Sequence, residues 1–474
     1  MVRRFTLAQC VSTVVLLAVE ANGAPDICCD RLTAALSAKK VFKASSPNYT
    51  IENQKYWSAT AVLTPACVVV PESSSDVSTT LKTLTKNNCK FGIRGGGHTA
   101  NPGWAGTNSG VLISLSKLNK IQVSEDKASV VIGAGNRWGD VYAKTGEHNV
   151  TVTGGRVSTV GVSGFLLGGG LSFLMQKEGF AANSIVLANG TVATITAESA
   201  GDLFKALKGG SGNFGIATSF TLQTYPVNNV YAGSLAYSPD QYDTLFPIME
   251  TYARKGVEDD PKTHVISVFG YVPSQAIDIA SFYLLYSDPV TAPPPAIKPF
   301  FDVPTLANTV KVKTVKEAAD ELGTGSVDGL RQDMRAFSIR ANAGLYKELL
   351  DVWHSTAVSQ NSTAGCEEKG GNVLGLEPSS EPLVSINYQF SWTQSADDKK
   401  VYAAIDKLIA TSMNIAKSQN RLAQYIYLNY ASSNQKPLES YGPAQLDFLR
   451  KVKAKYDPHG VFEKLSRGGF KIPS

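Results

Sequence analysis

The stretch Phe91–Lys117, FGIRGGGHTANPGWAGTNSGVLISLSK, decides how this chain is read. A short apolar run ending in Arg94 breaks into Gly95, Gly96 and Gly97 and then delivers His98. Without a Cβ on three successive residues the backbone can turn tightly and approach another molecule. A histidine presented at such a turn has something to face. Taken alone, GGGH also fits a plain turn whose histidine caps a loop, so its meaning depends on the neighbouring segments.

Upstream, Cys67 to Val70 reads as a buried strand stopped by Pro71. Ser74 or Ser75 then caps a helix whose Val77, Leu81 and Leu84 fall at i, i+4 and i+7. Phe91 to Arg94 returns as a strand, which makes a β–α–β unit ending at the glycine turn. Val111 to Leu115 follows as a strand and Leu118 to Val123 as a further edge. His98 is thus expected in a loop beside several strand ends.

Val130 to Gly139, VVIGAGNRWG, imitates the opening of a dinucleotide-binding unit. That motif needs G-x-G-x-x-G and an acid about twenty positions on. Gly133, Gly135 and Gly139 have one residue too many between the last two, and another glycine loop stands where the acid should be. The segment reads instead as a strand, a turn and a short helix with Trp138 packed beneath. Gly154 to Phe173 is the densest glycine region; Gly161, Gly164 and Gly168 to Gly170 would let backbone N–H groups converge on an anion such as a pyrophosphate. The competing reading is close packing of a turn against a sheet. Neither Ser163 nor Ser211 lies in G-x-S-x-G, so a nucleophile elbow is excluded. Asp202 to Phe220 adds a short helix, a third glycine loop and a strand.

Beyond Tyr225-Pro226 the texture changes. Val230–Tyr237, His264–Val272, Ile277–Tyr286 and Leu383–Trp392 alternate like half-buried strands, with amphipathic helices at Asp240–Arg254, Leu345–Val358 and Asp397–Lys417. This predicts an antiparallel sheet covered by helices on one face, with the other face free to roof a site. Tyr425 to Tyr430, YIYLNY, reads as a strand, and Leu446, Leu449 and Val452 mark a final helix.

The composition, 43% hydrophobic and 18% charged over 474 residues, is that of an ordinary globular protein of two lobes. A net charge of +5 without a Lys/Arg run argues against a nucleic-acid partner. Arg3 and Arg4, an apolar run from Phe5 to Val19 and small residues up to Ala24 predict a secretory signal over residues 1–24, too short for a bilayer span. Sequons at Asn48, Asn149, Asn189 and Asn361 fit that route. Cys28 and Cys29 are expected to pair separately with Cys67 and Cys89, leaving Cys366 as a buried thiol. No CxxC or HxxxH supports a metal site.

Together these pieces resemble the FAD-linked oxidases of the vanillyl-alcohol oxidase / p-cresol methylhydroxylase (PCMH) superfamily, berberine-bridge-enzyme-like branch. The likeness rests on R-G-G-G-H at Arg94–His98, G-G-R-x-x-x-V-G-V-x-G at Gly154–Gly164 with Gly168–Gly170, A-L-K-G-G-x-G-N-F-G-I-A-T at Ala206–Thr218, and the closing N-Y, Y-G and K-Y-D-P-x-x-V-F motifs. It implies an α+β fold of two lobes: a PCMH-type FAD-binding domain over residues 25–225, an antiparallel-sheet substrate lobe over 226–420, and a C-terminal segment, 421–474, returning to the FAD domain. It implies FAD contacts at Arg94, Gly95, Gly96, Gly97, His98, Gly155, Val157, Thr159, Val160, Gly161, Gly164, Gly169, Gly170 and Asn429. His98 matches the histidine that bonds to the flavin 8α-methyl. Val157 stands where doubly linked members carry cysteine, so a single histidyl link is expected. One departure is that relatives have a longer stretch where this chain has only Gly179–Gly190, so that several residues which normally lie under the cofactor are missing.

The resemblance implies a secreted, monomeric oxidase that moves hydride from a small organic substrate of secondary-metabolite, alcohol or amine type to flavin N5, with O2 as acceptor. Tyr427 and Tyr430, flanking Asn429, are the candidate bases, with Tyr388 next. Two alternatives are an oligosaccharide oxidase and a cyclase built on the same scaffold.

Overall fold

The computed structural model describes residues 25–174, 182–272, 277–354, 359–362, 373–374, 376 and 381–473. The signal expected over residues 1–24 and Cys366 lie outside them. The first sheet contains β1 (Val41–Lys43), β2 (Cys67–Val69), β3 (Phe91–Arg94) and β4 (Val111–Ser114) in the order β1-β2-β4-β3. β1 pairs antiparallel with β2, whereas β4 runs parallel to both β2 and β3. Parallel neighbours need a crossover, and the helix Ser74–Lys86 supplies it between β2 and β3. Its cap is Ser73, whose hydroxyl accepts from Asp76 N at 3.1 Å, one residue earlier than the sequence suggested. Val77, Leu81 and Leu84 are fully buried, as their spacing requires.

Two disulfides fasten the N-terminal helix Pro25–Leu36 to this unit. Cys28 joins Cys89 and Cys29 joins Cys67, with sequence separations of 61 and 38 residues. In the loop-entropy account, closing loops of that size removes on the order of 4 kcal/mol of unfolded-chain freedom each. The crosslinks therefore hold β2 and the start of β3, and with them the turn that presents His98.

A second sheet has β5 (Ile121–Val123), β6 (Ser129–Gly133), β7 (Ala182–Leu187), β8 (Val192–Ile195) and β9 (Gly215–Gln223) in the order β5-β6-β9-β7-β8. Trp138 opens the helix Trp138–Gly146 and is fully buried, as expected. The shortened Gly179–Gly190 stretch still supplies β7, which pairs with β8 and, across an irregularity at Ser184/Ile185, with β9. The residues before Ala182, from 175 on, lie outside the described part.

After β9 the chain builds two more antiparallel sheets. One has β10 (Asn229–Tyr237), β11 (Thr263–Val272), β12 (Ile277–Tyr286) and β13 (Ala307–Asn308) in the order β11-β12-β10-β13, with β14 (Lys311–Thr314) also on β10. The other has β15 (Arg331–Arg340), β16 (Ser359–Ser362), β17 (Leu383–Trp392) and β18 (Leu422–Ala423) in the order β16-β17-β15-β18. The two are in contact at β11 and β16. One face is covered as expected: Phe246, Leu345, Trp353 and Leu408 from the helices Tyr242–Thr251, Ala343–His354 and Asp398–Ser418 pack on Phe269, Phe282, Phe337 and Ile386. The opposite face is not simply free, which corrects the sequence reading. On β10–β12, Ala232, Ile266, Tyr283 and Leu285 join the core of the first two sheets, and Tyr283 Oη donates to Ala318 O at 2.8 Å.

Tyr425–Tyr430 is not a strand. Its alternation is real, but Tyr430 N and Ala431 N donate to Tyr427 O and Leu428 O, which closes a single 3-10 turn over Leu428–Tyr430. Ile426 N donates to Ser440 Oγ at 3.0 Å instead of to a neighbouring strand.

Candidate active site around His98

Three segments meet at His98. The turn that carries it leaves β3, with Gly97 in the left-handed region at φ +72°. A Cβ on Gly97 would stand 2.4 Å from Lys55 O, so the turn is pressed against residues 55–57. A Cβ on Gly96 would stand 2.3 Å from Gly161 Cα, so the first and second glycine loops touch backbone to backbone. The His98 ring lies parallel to Trp57, 8° between planes and 4.6 Å between centroids, and its Nε2 sits 3.2 Å from Thr159 Oγ1. Burial, helped by the Arg137 charge, pushes the His98 pKa down to about 4, so its imidazole is neutral at pH 7.

Arg94 packs against that loop, its Cδ 3.3 Å from where a Cβ on Gly97 would stand. Its guanidinium is buried and donates to Glu52 O at 2.5 Å, Glu52 Oε2 at 3.2 Å and Ser114 Oγ at 2.7 Å. Burial alone would raise the Glu52 pKa, but Lys55, Ser114 and Ser116 donate to its carboxylate and hold it below the usual range. Arg94 is therefore an anchor of the turn through Glu52, and it also lines the cavity beside Gly95 and Gly96.

The other predicted glycines divide between packing and openness. A Cβ on Gly155 would collide with the Trp138 indole at 2.4 Å, and one on Gly170 with the Phe165 ring at 2.3 Å. Gly169 has φ +71° and is pressed on Leu374. Gly164, by contrast, has open space around its missing side chain. Val160 O accepts from Trp138 N, which holds the second loop on its helix, and Val157 Cγ1 faces Gly323.

The C-terminal strip closes over these loops. Asn429 Nδ2 donates to Phe165 O at 3.2 Å and to Tyr427 Oη at 3.0 Å, and Leu171 N donates to the same Tyr427 oxygen at 3.1 Å. Tyr427 is buried, and burial pushes its pKa up, so its hydroxyl is a tie between strip and loop. Tyr430 is only half-buried, and Arg156 Nη2 donates to its hydroxyl oxygen at 2.6 Å. Arg156 Nη1 also lies 3.3 Å from His264 Nε2. A guanidinium has no acceptor, so His264 Nε2 must accept, and the ring proton is then on Nδ1. That buried Nδ1 has no partner among the described residues. Asn101 Nδ2 donates to Ala431 O and Ser433 N to Asn101 Oδ1, at 3.0 and 2.9 Å, which brings Tyr430 beside the His98 loop. Tyr388 lies elsewhere, in the helix-covered core, with its hydroxyl 2.8 Å from Ser412 Oγ.

A ligand of mixed character fits this arrangement. A cavity of about 450 Å³ opens beside Gly95 and Gly96, with Lys55, Arg94 and Arg137 in its wall together with Asp328, 3.7 Å from Arg137 Nη1. Among the described residues, the N–H groups of Gly96, Gly97 and His98 have no acceptor. Unpaired backbone donors next to cationic side chains suit a pyrophosphate. No group of three His, Cys, Asp or Glu among the described residues could hold a metal ion.

Comparison with known proteins decides the ligand. A family model for an FAD binding domain matches residues 65–196. The FAD-dependent monooxygenase drtC of Aspergillus calidoustus is 33% identical over 476 residues, covering 94% of this chain and 90% of the relative. The FAD-dependent monooxygenase prx3 of Penicillium roqueforti is 35% identical over 453 residues, 88% of each chain. The fold matches that of 6-hydroxy-D-nicotine oxidase from Arthrobacter nicotinovorans with a TM-score of 0.78 at 20% identity, over 92% of this chain and 97% of that one. Physcomitrella patens BBE-like 1 matches with a TM-score of 0.77 at 19% identity, over 94% and 99%. This chain is an FAD-dependent oxidoreductase of the vanillyl-alcohol oxidase / p-cresol methylhydroxylase superfamily. The flavoprotein's RGGGH turn and second glycine loop, Arg94–His98 and Gly154–Gly164, both lie inside the matched FAD binding domain.

Trp57, Arg156 and His264 were not legible as site residues. Arg156 stood inside the quoted G-G-R motif without a role, and only the fold brings it to Tyr430 and to His264, 274 and 108 positions away. His264 also makes the flavoprotein pH-sensitive. Burial first, then the Arg156 charge, lowers its pKa well below 6.5. The unfolded chain, with an ordinary histidine near 6.5, binds the proton first, so this contribution to stability is present above about pH 6.5 and is lost as pH falls below it. Thermal unfolding followed from pH 7.5 to 4.5 is expected to decline less steeply in His264→Gln than in the wild type; parallel profiles would contradict the assignment.

Proposed function

We propose that this flavoprotein is a secreted oxidase of a small organic substrate, with FAD attached once, through His98, and O2 as acceptor. The observation that carries the reading is the neutral His98 imidazole clamped between Trp57 and Thr159 at the mouth of the glycine loops. Val157, with no nucleophile, supports a single attachment. We assign the FAD-binding part to residues 25–225 with the strip 421–474, and the substrate lobe to 226–420. The two disulfides support an oxidising compartment, and Asn48, Asn149 and Asn189 are exposed for glycosylation.

When bound, FAD supplies hydride acceptance at N5 and hands the electrons to dioxygen. The protein's own part is binding, orientation and proton transfer. The open N–H groups of Gly96, Gly97 and His98 would hold the pyrophosphate, and the contact of Gly96 with Gly161 fixes the two loops relative to each other. Tyr430 is the group we assign to the substrate's O–H or N–H proton. Arg156 sits on its oxygen, a position from which a fixed cation stabilises negative charge developing there. Ser338 and Ser385, opposite each other on β15 and β17, keep buried hydroxyls that have no hydrogen-bond partner among the described residues. Gln435 ties β15 to the strip just after Tyr430 through both Ala336 N and Ala336 O, at 3.0 and 2.6 Å. That polar face is the wall we assign to substrate hydroxyl or carbonyl groups.

The test is a substrate panel of phenolic and heterocyclic alcohols, amines and oligosaccharides under 18O2. The proposal expects a phenolic, heterocyclic or amine substrate to bleach the flavin anaerobically, with peroxide released in air and no labelled oxygen in the product. Labelled product would assign a monooxygenase, the activity named for the fungal relatives, and an oligosaccharide as the sole substrate would overturn the substrate class.

A further inference from the structure

We propose that Trp57 is a positioning residue for His98: its indole fixes the plane of the imidazole whose ring nitrogen would bond to the flavin. This inference rests on the histidyl link proposed above. Trp57 is fully buried, and the 8° stack at 4.6 Å covers one face of the histidine ring.

Trp57 is itself bracketed from two sides. Its backbone N–H donates to Gly97 O at 2.9 Å, one residue before His98, and its carbonyl accepts from Gly329 N at 2.9 Å. Tyr56 Oη donates to Ala105 O and Thr60 Oγ1 to Ala100 O, at 2.7 and 2.6 Å, which straps residues 56–60 along the loop that follows His98. On the other side Ala59 N donates to Leu330 O and Gln332 N to Ser58 Oγ, so the same short segment is fixed to the start of β15. These bonds fix the backbone that carries the indole, and full burial leaves the ring little room to follow a rotating imidazole.

The consequence for His98 is geometric. One ring face lies on the indole and the Nε2 edge lies on Thr159. The ring torsion of a histidine is otherwise broad, and a lone pair lies in the ring plane, so a swinging ring points its lone pair along a wide arc. Holding that plane converts a chance encounter into an oriented one, and small misplacements of a nucleophile cost on the order of a hundredfold in rate. In the attachment step a His98 nitrogen forms an N–C bond to the 8α-methyl carbon. One methyl C–H bond and the imidazole N–H bond break, their two protons and the bonding electron pair pass to the isoalloxazine ring, and dioxygen then takes two electrons and two protons from it as peroxide.

The experiment uses full-length apoprotein of the wild type, Trp57→Phe, Trp57→Met and His98→Ala, each given FAD and sampled over time. Total flavin per folded protein and the flavin that stays with acid-precipitated protein are read separately. Trp57→Met is expected to bind FAD but to accumulate acid-stable flavin at least tenfold more slowly than the wild type. Trp57→Phe, which keeps a ring, is expected to fall between, slowed at least threefold. Acid-stable flavin forming in Trp57→Met at the wild-type rate would overturn the role of Trp57 while leaving the histidyl link intact. If Trp57→Met does not fold, a wild-type rate in Trp57→Phe overturns it instead. Wild-type flavin that is released entirely by acid would overturn both.

Discussion

Replacing Tyr430 with phenylalanine is expected to lower kcat by about 10²- to 10⁴-fold, the range for loss of a positioned proton-transfer group, with flavin content unchanged. The expectation follows from how the hydroxyls around the C-terminal turn are used. Tyr427 Oη already receives Leu171 N and Asn429 Nδ2 and is buried, so Tyr427→Phe removes a strut between the strip and the third-residue side of the Gly168–Gly170 loop. Tyr388 is spent on Ser412 inside the helix-covered core. Tyr430 is half-buried and carries the Arg156 guanidinium on its oxygen. Steady-state kinetics on Tyr430→Phe, Tyr427→Phe and Tyr388→Phe therefore separate the roles. A large kcat loss confined to Tyr430→Phe is the expected pattern, and a kcat for Tyr430→Phe within a fewfold of the wild type contradicts the assignment.

The second large effect is on folding. Arg94→Met is expected to destabilise the protein by about 3–5 kcal/mol, because it leaves the buried Glu52 carboxylate without its guanidinium partner. Glu52 would retain Lys55, Ser114 and Ser116, at 2.5, 2.9 and 3.0 Å, which limits the loss. The charge it loses is the one that also holds Glu52 O at the end of the helix Pro47–Asn53, against the Tyr56 ring. Denaturant unfolding of apoprotein measures this directly. A shift under 1 kcal/mol would mean the Arg94–Glu52 pair carries little of the turn's stability. Arg94→Met with Glu52→Gln is expected to recover part of the loss, since the uncompensated charge is then gone.

Much of the frame was legible because periodicity and glycine obey local rules. The β2–helix–β3 unit follows from the spacing of Val77, Leu81 and Leu84 and a turn chemistry that admits only glycine at Gly97. The strand character of β10, β11, β12 and β17 follows from alternation, and the Cys28/Cys29 pairing set from the rarity of bonds between adjacent cysteines. What escaped depends on partners far away in the chain. The Arg94 motif marks a cofactor loop but carries no sign that Glu52, 42 positions upstream, bonds its guanidinium. The resemblance puts Gly155 and Gly170 at the FAD, but only the fold shows that Trp138 and Phe165 fill the space of their missing Cβ atoms. YIYLNY has a strand's alternation, and only the local bonds of Tyr430 and Ala431 show that the backbone turns there. Trp57 carried no signal, since a lone aromatic before a 3-10 turn reads as core until the ring beside it is seen to be His98.

The account turns on His98, and the most direct measurement is the mass of the proteolytic peptide that contains it, taken from purified yellow protein under denaturing conditions. The account predicts that this peptide, and no peptide containing Val157, carries the mass of one FAD, and that His98→Ala abolishes the modified species. A yellow protein whose His98 peptide has its unmodified mass would contradict the account.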